Sequence, residues 1–191
     1  MIELVTPLTE AQVRELKVGD EVRISGVVFT GRDAVHRYLH AGGQLPPGIQ
    51  LSEGVIYHCG PVVMRDAQGQ WKVTAAGPTT SSRHEPYQPD LIRRFKLRGI
   101  MGKGGMGAGT LSACGEVGCV YLHAVGGAAQ VLADCIKAVR SVHFLEQFGP
   151  PEALWELELH HFPAVVTMDA HGQSLHERIL ADSQAALARL L

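Results

Sequence analysis

GPTTSSRHEPYQPDLIRRFKLRGIMGKGGMG, residues 77–107, sets the rhythm of the chain. Gly77-Pro78 is a turn that leads into the hydroxyls of Thr79 and Thr80 and the guanidinium of Arg83. A short helix follows near residues 89–97, opened by Pro89 and closed before Gly99, the expected asymmetry of helix ends. Ile100-Met101 reads as a brief buried strand. Gly102-Lys103-Gly104-Gly105-Met106-Gly107 is then a glycine-rich loop holding one lysine. Small polar and cationic groups stand at the ends of regular elements, where a protein grips an anionic small molecule.

Upstream, short strands dominate. Residues 8–16 read as a helix with Thr9 as N-cap and Gln12 at the capping-box position. Residues 21–30, EVRISGVVFT, alternate and are β-branched, which makes a strand. Gly31-Arg32-Asp33 joins it to a helix running to about His40 and closed by Gly42-Gly43. Further strands are expected over 55–57, 62–65 and 71–75, with a loop around Pro46-Pro47-Gly48. Downstream, the patterning predicts a helix over 108–117, a strand over 120–125 and an amphipathic helix over 128–139 (AAQVLADCIKAV). Strands follow over 141–145, 154–159 and 164–168, and a last helix, capped by Ser174, runs towards Leu191. The helix 128–139 and the strand 164–168 are expected to bury Val131, Leu132, Ile136, Val165 and Val166. Alternating strands and helices give an α/β or α+β class with a mixed sheet and flanking helices. No repeat or linker divides the 191 residues, which read as one domain, 1–191.

A net charge of -2 gives no bulk attraction to nucleic acid or to an anionic membrane. The N-terminal MIELVTPLTEAQ lacks the basic and apolar regions of a signal peptide, and no apolar run is long enough to span a bilayer, so a cytoplasmic protein is expected. Cys59, Cys114, Cys119 and Cys135 include no C-x2-C pair. They read as buried free thiols rather than a metal or iron–sulfur site.

Three short motifs can carry chemistry. In 77–83 a fixed turn presents threonine hydroxyls and Arg83, whose fork matches a carboxylate at two points; the same residues also read as a capped turn with a solvated arginine. In 102–107 glycines let backbone N–H groups face a ligand while Lys103 adds a point charge. That loop lacks the P-loop pattern, but it follows a strand and precedes a helix, which favours an anion site over a merely flexible loop by no clear margin. Arg32 sits where a strand passes into a helix, and either meets a ligand or pairs with a neighbouring acid. His36 and His40, at i and i+4, share the spacing of metal ligands but lack a third partner, so they read as helix-surface histidines. Arg93, Arg94, Lys96 and Arg98 read as a solvated face, and His160-His161 as structural. Gly126-Gly127 is a turn that can bring backbone N–H groups to a ligand.

TGRDAVHRYL, AGPTTSSR, MGKGGMG, AVGGAAQVLA and HFPAVVTMDAHGQSL, in this order, resemble the β subunit of two-subunit class I fumarases and L-tartrate dehydratases. They equally resemble the C-terminal domain of single-chain class I fumarases. The resemblance runs from near Leu4 to about Leu175 and includes the opening TPLT and LKVGD. It implies a swivelling domain of the β/β/α type and an iron–sulfur hydro-lyase acting across the C2–C3 bond of a four-carbon dicarboxylate. It also implies a [4Fe-4S] cluster held by three cysteines of a partner α subunit, none by this chain, in an α2β2 assembly. Carried over by motif, Arg32 and Arg83 bind substrate carboxylates, Thr79 takes part in proton transfer at carbon, and Lys103 contacts the substrate and assists Thr79. GRDAVH and AVGGAA are closer to fumarases, which implies fumarate and L-malate. GKGGMG and VHFLEQFGPPEALWEL are closer to tartrate dehydratases, which leaves tartrate dehydration to oxaloacetate as the alternative. A non-catalytic module that keeps the dicarboxylate cradle is the reading from a different class.

Overall fold

The computed structural model describes residues 1–190. The strands are β1 (Ile2–Val5), β2 (Glu21–Thr30), β3 (Val55–Tyr57), β4 (Val62–Arg65), β5 (Trp71–Ala75), β6 (Gly99–Gly102), β7 (Val120–His123), β8 (Ile136–His143) and β9 (Leu154–Met168). The helices are α1 (Glu10–Glu15), α2 (Asp33–His40), α3 (Gln88–Phe95), α4 (Ala108–Val117), α5 (Ala129–Asp134), α6 (Leu145–Phe148) and α7 (Leu175–Ala188), with a single 3-10 turn over Ser81–His84. A mixed sheet runs in the order β1-β2-β3-β6-β7-β9-β8, and β4-β5 form a separate hairpin. Among the described residues no helix is long and apolar enough to cross a membrane.

Two long strands close the sheet into a ring. β2 holds β9 along one edge; along the other it pairs with β1 through its first half (Ile2↔Val22) and with β3 near its end (Phe29↔Ile56). β9 likewise meets β8 over Leu154–Leu159 and β7 near Val165–Met168. The ring β2-β3-β6-β7-β9 follows, parallel throughout except for β9.

Strand alternation then sorts the core. Val28, Tyr57, Met101, Leu122 and Trp155 belong to one buried cluster, which the hairpin β4-β5, α5 and β8 cover with Trp71, Leu132 and Val139. Phe29, Ile56, Ile100 and Tyr121 belong to the other, covered by Val35 and Leu39 of α2, Leu91 and Ile92 of α3 and Ala113 of α4. Mixed sheet and flanking helices are thus the expected class.

Bending β2 to serve both neighbours requires a bulge. The β2–β9 register slips between Ile24 and Gly26, and Gly26 takes φ +97. A Cβ there would sit 2.9 Å from the Thr6 carbonyl oxygen, so only glycine fits both the turn and the contact. Opposite, His161 adopts φ 52, and its N–H donates to Ser25 Oγ at 3.0 Å. That kink lets one strand continue past Pro163.

Most sequence-read elements stand where expected, including the Thr9–Gln12 capping box and the Ser174 cap. Four do not. The helix expected over 128–139 ends at Asp134, and Ile136–His143 is β8: the β-branched Ile136, Val139 and Val142 satisfy a strand, and pairing along β9 decides it. Strands expected over 154–159 and 164–168 are one strand, because His161 absorbs the bend. α3 ends at Phe95 with Lys96 left-handed at φ 50, three residues before Gly99. β1 carries no pattern of its own and forms as an edge on β2.

Of the five expected core residues, Leu132 and Val166 are buried, Ile136 and Val165 are half-buried, and Val131 is 61% exposed. Leu132→Ala should therefore cost about 2–5 kcal/mol in urea denaturation, while Val131→Ala should stay within about 0.5 kcal/mol. Equal losses would mean that α5 is misplaced.

Candidate functional site

The parallel ring strands deliver their following loops to one rim. β2 is followed by Arg32, β3 by His58 and Gly60, β6 by Lys103, and β7 by Gly126. Crevices outside the carboxyl ends of parallel strands are where α/β sheets bind ligands. The loop after β5 joins this rim. Thr79 N–H donates to the His58 carbonyl at 2.7 Å, Lys103 N–H to the Thr79 carbonyl at 3.3 Å, and Ser81 N–H to the Lys103 carbonyl at 2.9 Å. Thr79 and Lys103, 24 residues apart in sequence, are thus neighbours in one backbone ladder.

Arg32 lies against Gly60, where an added Cβ would meet its Cδ and Nη1 at 2.8 Å. Its Nε is 3.4 Å from Glu152 Oε1, and the other Glu152 oxygen accepts from Ala34 N–H at the start of α2, at 2.8 Å. Arg83 is paired with Asp33. The two guanidiniums expected to meet a ligand are therefore partnered within the chain. Each is a fork with further N–H groups to offer. Lys103 makes no ion pair, and the Thr79 hydroxyl makes no hydrogen bond, among the described residues. Arg32, Asp33 and Arg83 form one linked side of the rim, and Thr79 and Lys103 the adjoining one. A cleft of about 680 Å³ between β5, α5 and β8 is lined by none of the four expected residues. On the rim itself Arg83 is exposed, while Thr79 and Lys103 are half-buried.

The glycine-rich loop is anchored differently from the sequence reading. Glu85 accepts from Gly107 N–H at 2.7 Å and from Thr110 N–H at 3.0 Å and Oγ at 2.7 Å. A protein carboxylate thus occupies the start of α4. Glu85 instead ties the Thr79–Arg83 loop to the Lys103 loop.

Sequence reasoning missed what lies beneath. His36, His58 and His84 are buried together, each offering a ring nitrogen within 4.8 Å of the others. His36 is not on the helix surface: it points inward, while His40 faces Asp90 at 3.1 Å. The spacing would admit a metal ion, but His36 Nε2 and His58 Nε2 each already meet the Gln88 amide at 2.9 Å. These residues come from four separate segments, so no local spacing announces them. Arg98 is a second correction: it is buried and bonded to the Val117 and Gly118 carbonyls and to Glu10, whereas Arg93 pairs with Glu116 as a solvated face should.

Burial pushes the His84 pKa down to about 3, helped by His36, Arg83 and Arg32. It pushes His36 down too, and His58 well below the ordinary value. Unfolded, each titrates near 6.5. The unfolded chain then binds more protons than the folded one below about pH 6.5, so this stability is complete above that pH and is lost as pH falls towards the folded values. Stability read by urea denaturation should hold steady above about pH 7 and fall from about 6.5 downward, at up to about 1.4 kcal/mol per pH unit for each histidine. A midpoint flat between pH 7 and 5 would contradict the buried trio.

All four thiols are free, and Cys59, Cys114 and Cys119 are buried. Burial pushes Cys59 up to about 12 and Cys119 well above its usual value. Cys135 is only half-buried, against expectation.

The sequence profile described as Fumarase C-terminus matches residues 1–179. A putative fumarate hydratase class I of Geobacillus stearothermophilus is 56% identical over 189 residues, 99% of this chain and 36% of that protein. The chain thus spans about a third of that relative's length. A putative L(+)-tartrate dehydratase subunit beta of Methanocaldococcus jannaschii is 41% identical over 177 residues, 90% of this chain and 89% of that one. The L(+)-tartrate dehydratase subunit beta of Escherichia coli K12 is 32% identical over 173 residues, 90% and 85% of the two.

Proposed function

This chain belongs to the Fumarase C-terminus family, with relatives named as fumarate hydratase class I and as L(+)-tartrate dehydratase subunit beta, and from that premise we propose that it is the β subunit of a [4Fe-4S]-dependent hydro-lyase interconverting fumarate and L-malate. The observation that supports the reading best is the shared rim: Arg32 after β2, Lys103 after β6 and the Thr79–Arg83 loop after β5 are joined there by backbone hydrogen bonds and the Arg83–Asp33 pair.

Arg32 and Arg83 hold the two carboxylates of a four-carbon diacid, and Lys103 supplies the charge that Glu152 and Asp33 do not offset. The Thr79 hydroxyl moves the proton at carbon, and the neighbouring Lys103 ammonium stabilises its alkoxide. The cluster is held by a partner α subunit, in an α2β2 assembly, and would polarise the departing hydroxyl. A rim with Arg83 exposed suits a site completed by that partner. The free thiols suit a reducing compartment, the cytoplasm.

Dehydration of L-tartrate to oxaloacetate is the second reading, favoured by the two β-subunit relatives matched over nearly their whole length. An anaerobic assay of the complex with its cluster-bearing subunit, against fumarate, malate and both tartrates, separates them. Fumarate hydration is expected, and turnover of tartrate alone would overturn that assignment. Turnover by the isolated chain would overturn the division of labour.

A further inference from the structure

The buried histidines admit one proton arrangement. The Arg32 carbonyl, which can only accept, lies 2.8 Å from His36 Nδ1, so Nδ1 carries the hydrogen. Burial disfavours a second proton on this imidazole more than the nearby Asp33 and Glu152 carboxylates favour one, so Nε2 is bare. Its partner at 2.9 Å, the end of the Gln88 side chain, must then donate. As it stands the Gln88 oxygen faces His36, and the Gln88 nitrogen is buried without a partner. Oxygen and nitrogen of an amide are told apart by their partners, and these partners require the nitrogen. The same atom lies 2.9 Å from His58 Nε2, which must therefore also be bare. His58 then carries its hydrogen on Nδ1, 2.9 Å from Ser81 Oγ, which also accepts from the Tyr121 hydroxyl at 2.8 Å. His84 stacks on His36, ring centres 4.4 Å apart, and closes the cluster.

We propose that Gln88, His36 and His58 are positioning residues: one amide group starts two donor chains, one ending on the Arg32 carbonyl and the other on Ser81, and so fixes both substrate loops against each other. The proposal deepens the hydro-lyase reading and rests on it only for the kinetic consequence. Gln88 is the one member that a residue of similar size cannot replace, because a single NH2 group serves both imidazoles. A carboxylate in its place faces two lone pairs, and a thioether donates nothing.

The first test is made on the chain alone, by nitrogen-15 NMR of its imidazoles and backbone. Wild type should show His36 and His58 as the Nδ1–H tautomer, unchanged across about pH 6–8. Gln88→Glu should convert both to the imidazolium or the Nε2–H form. Gln88→Met should shift the backbone resonances of Arg32 and of residues 79–83 and leave those of α7 in place. An Nε2–H tautomer at His58 in wild type, or one equivalent of zinc bound by these histidines, would overturn the arrangement. Loops unmoved in Gln88→Met would overturn the coupling. In the assembled enzyme, Gln88→Met should lower kcat by about tenfold to a hundredfold, the scale of a modest misplacement, with KM changed far less. A rise in KM at unchanged kcat would overturn the positioning role. Absence of turnover from wild type would bear on the hydro-lyase reading and leave the tautomer and loop results standing.

Discussion

Lys103→Ala is expected to cost the assembled enzyme about 10²–10³-fold in turnover, the scale of losing one preorganised charge in a catalytic site, while stability moves by no more than about 0.5 kcal/mol. The two outcomes separate because Lys103 holds its loop by backbone alone. Its N–H and carbonyl bond to Thr79 and Ser81, and alanine keeps both. Its ammonium has no ion pair among the described residues, so nothing internal is lost with it. Arg83→Ala is a less clean experiment, since it also strips Asp33 of its partner. Turnover of Lys103→Ala within twofold of the parent would remove lysine from the mechanism and leave Thr79 without its helper.

Gly102→Ala should be among the most damaging single-methyl changes available to this fold. The added carbon would overlap Ser81 Oγ and stand 3.2 Å from both His58 Nδ1 and the Tyr121 hydroxyl oxygen. Three polar groups bonded to one another leave it no direction in which to relax. A loss of roughly 3 kcal/mol is expected, at the upper end of what overpacking costs. Turnover should fall with it, because Ser81 belongs to the loop that carries Thr79 and Arg83. Adding Ser81→Ala removes the oxygen that the methyl meets and should return part of the stability, which two independent lesions would not do. A Gly102→Ala chain with the parent's urea midpoint would show that β6 and the Ser81 turn are not in contact.

Local chemistry made much of this legible in advance. Glu21–Thr30, Ala108–Val117 and the hairpin strands were readable because alternation or a cap agreed with the final packing. Arg32, Thr79, Arg83 and Lys103 were readable as candidates because each sits beside a turn at an element's end. What was hidden is non-local. Nothing in AAQVLADCIKAV announces that its second half will pair with β9. His161 gives no sign that a left-handed residue will carry a strand past a proline. Glu85, Glu152 and Asp33 are ordinary acids until the fold sets them on Gly107, Arg32 and Arg83. His36, His58 and Gln88 gain their meaning only when α2, β3 and α3 meet.

The joining of Glu21 to Val165 has a consequence for how the molecule comes into being. A nascent chain must wait, β2 unmatched on one side, until β9 has been made. Such distant pairing makes for slow maturation and leaves apolar edges open to wrong partners meanwhile. Yield in a cell should therefore respond to chaperone supply and to growth temperature more than a helical protein of equal length would.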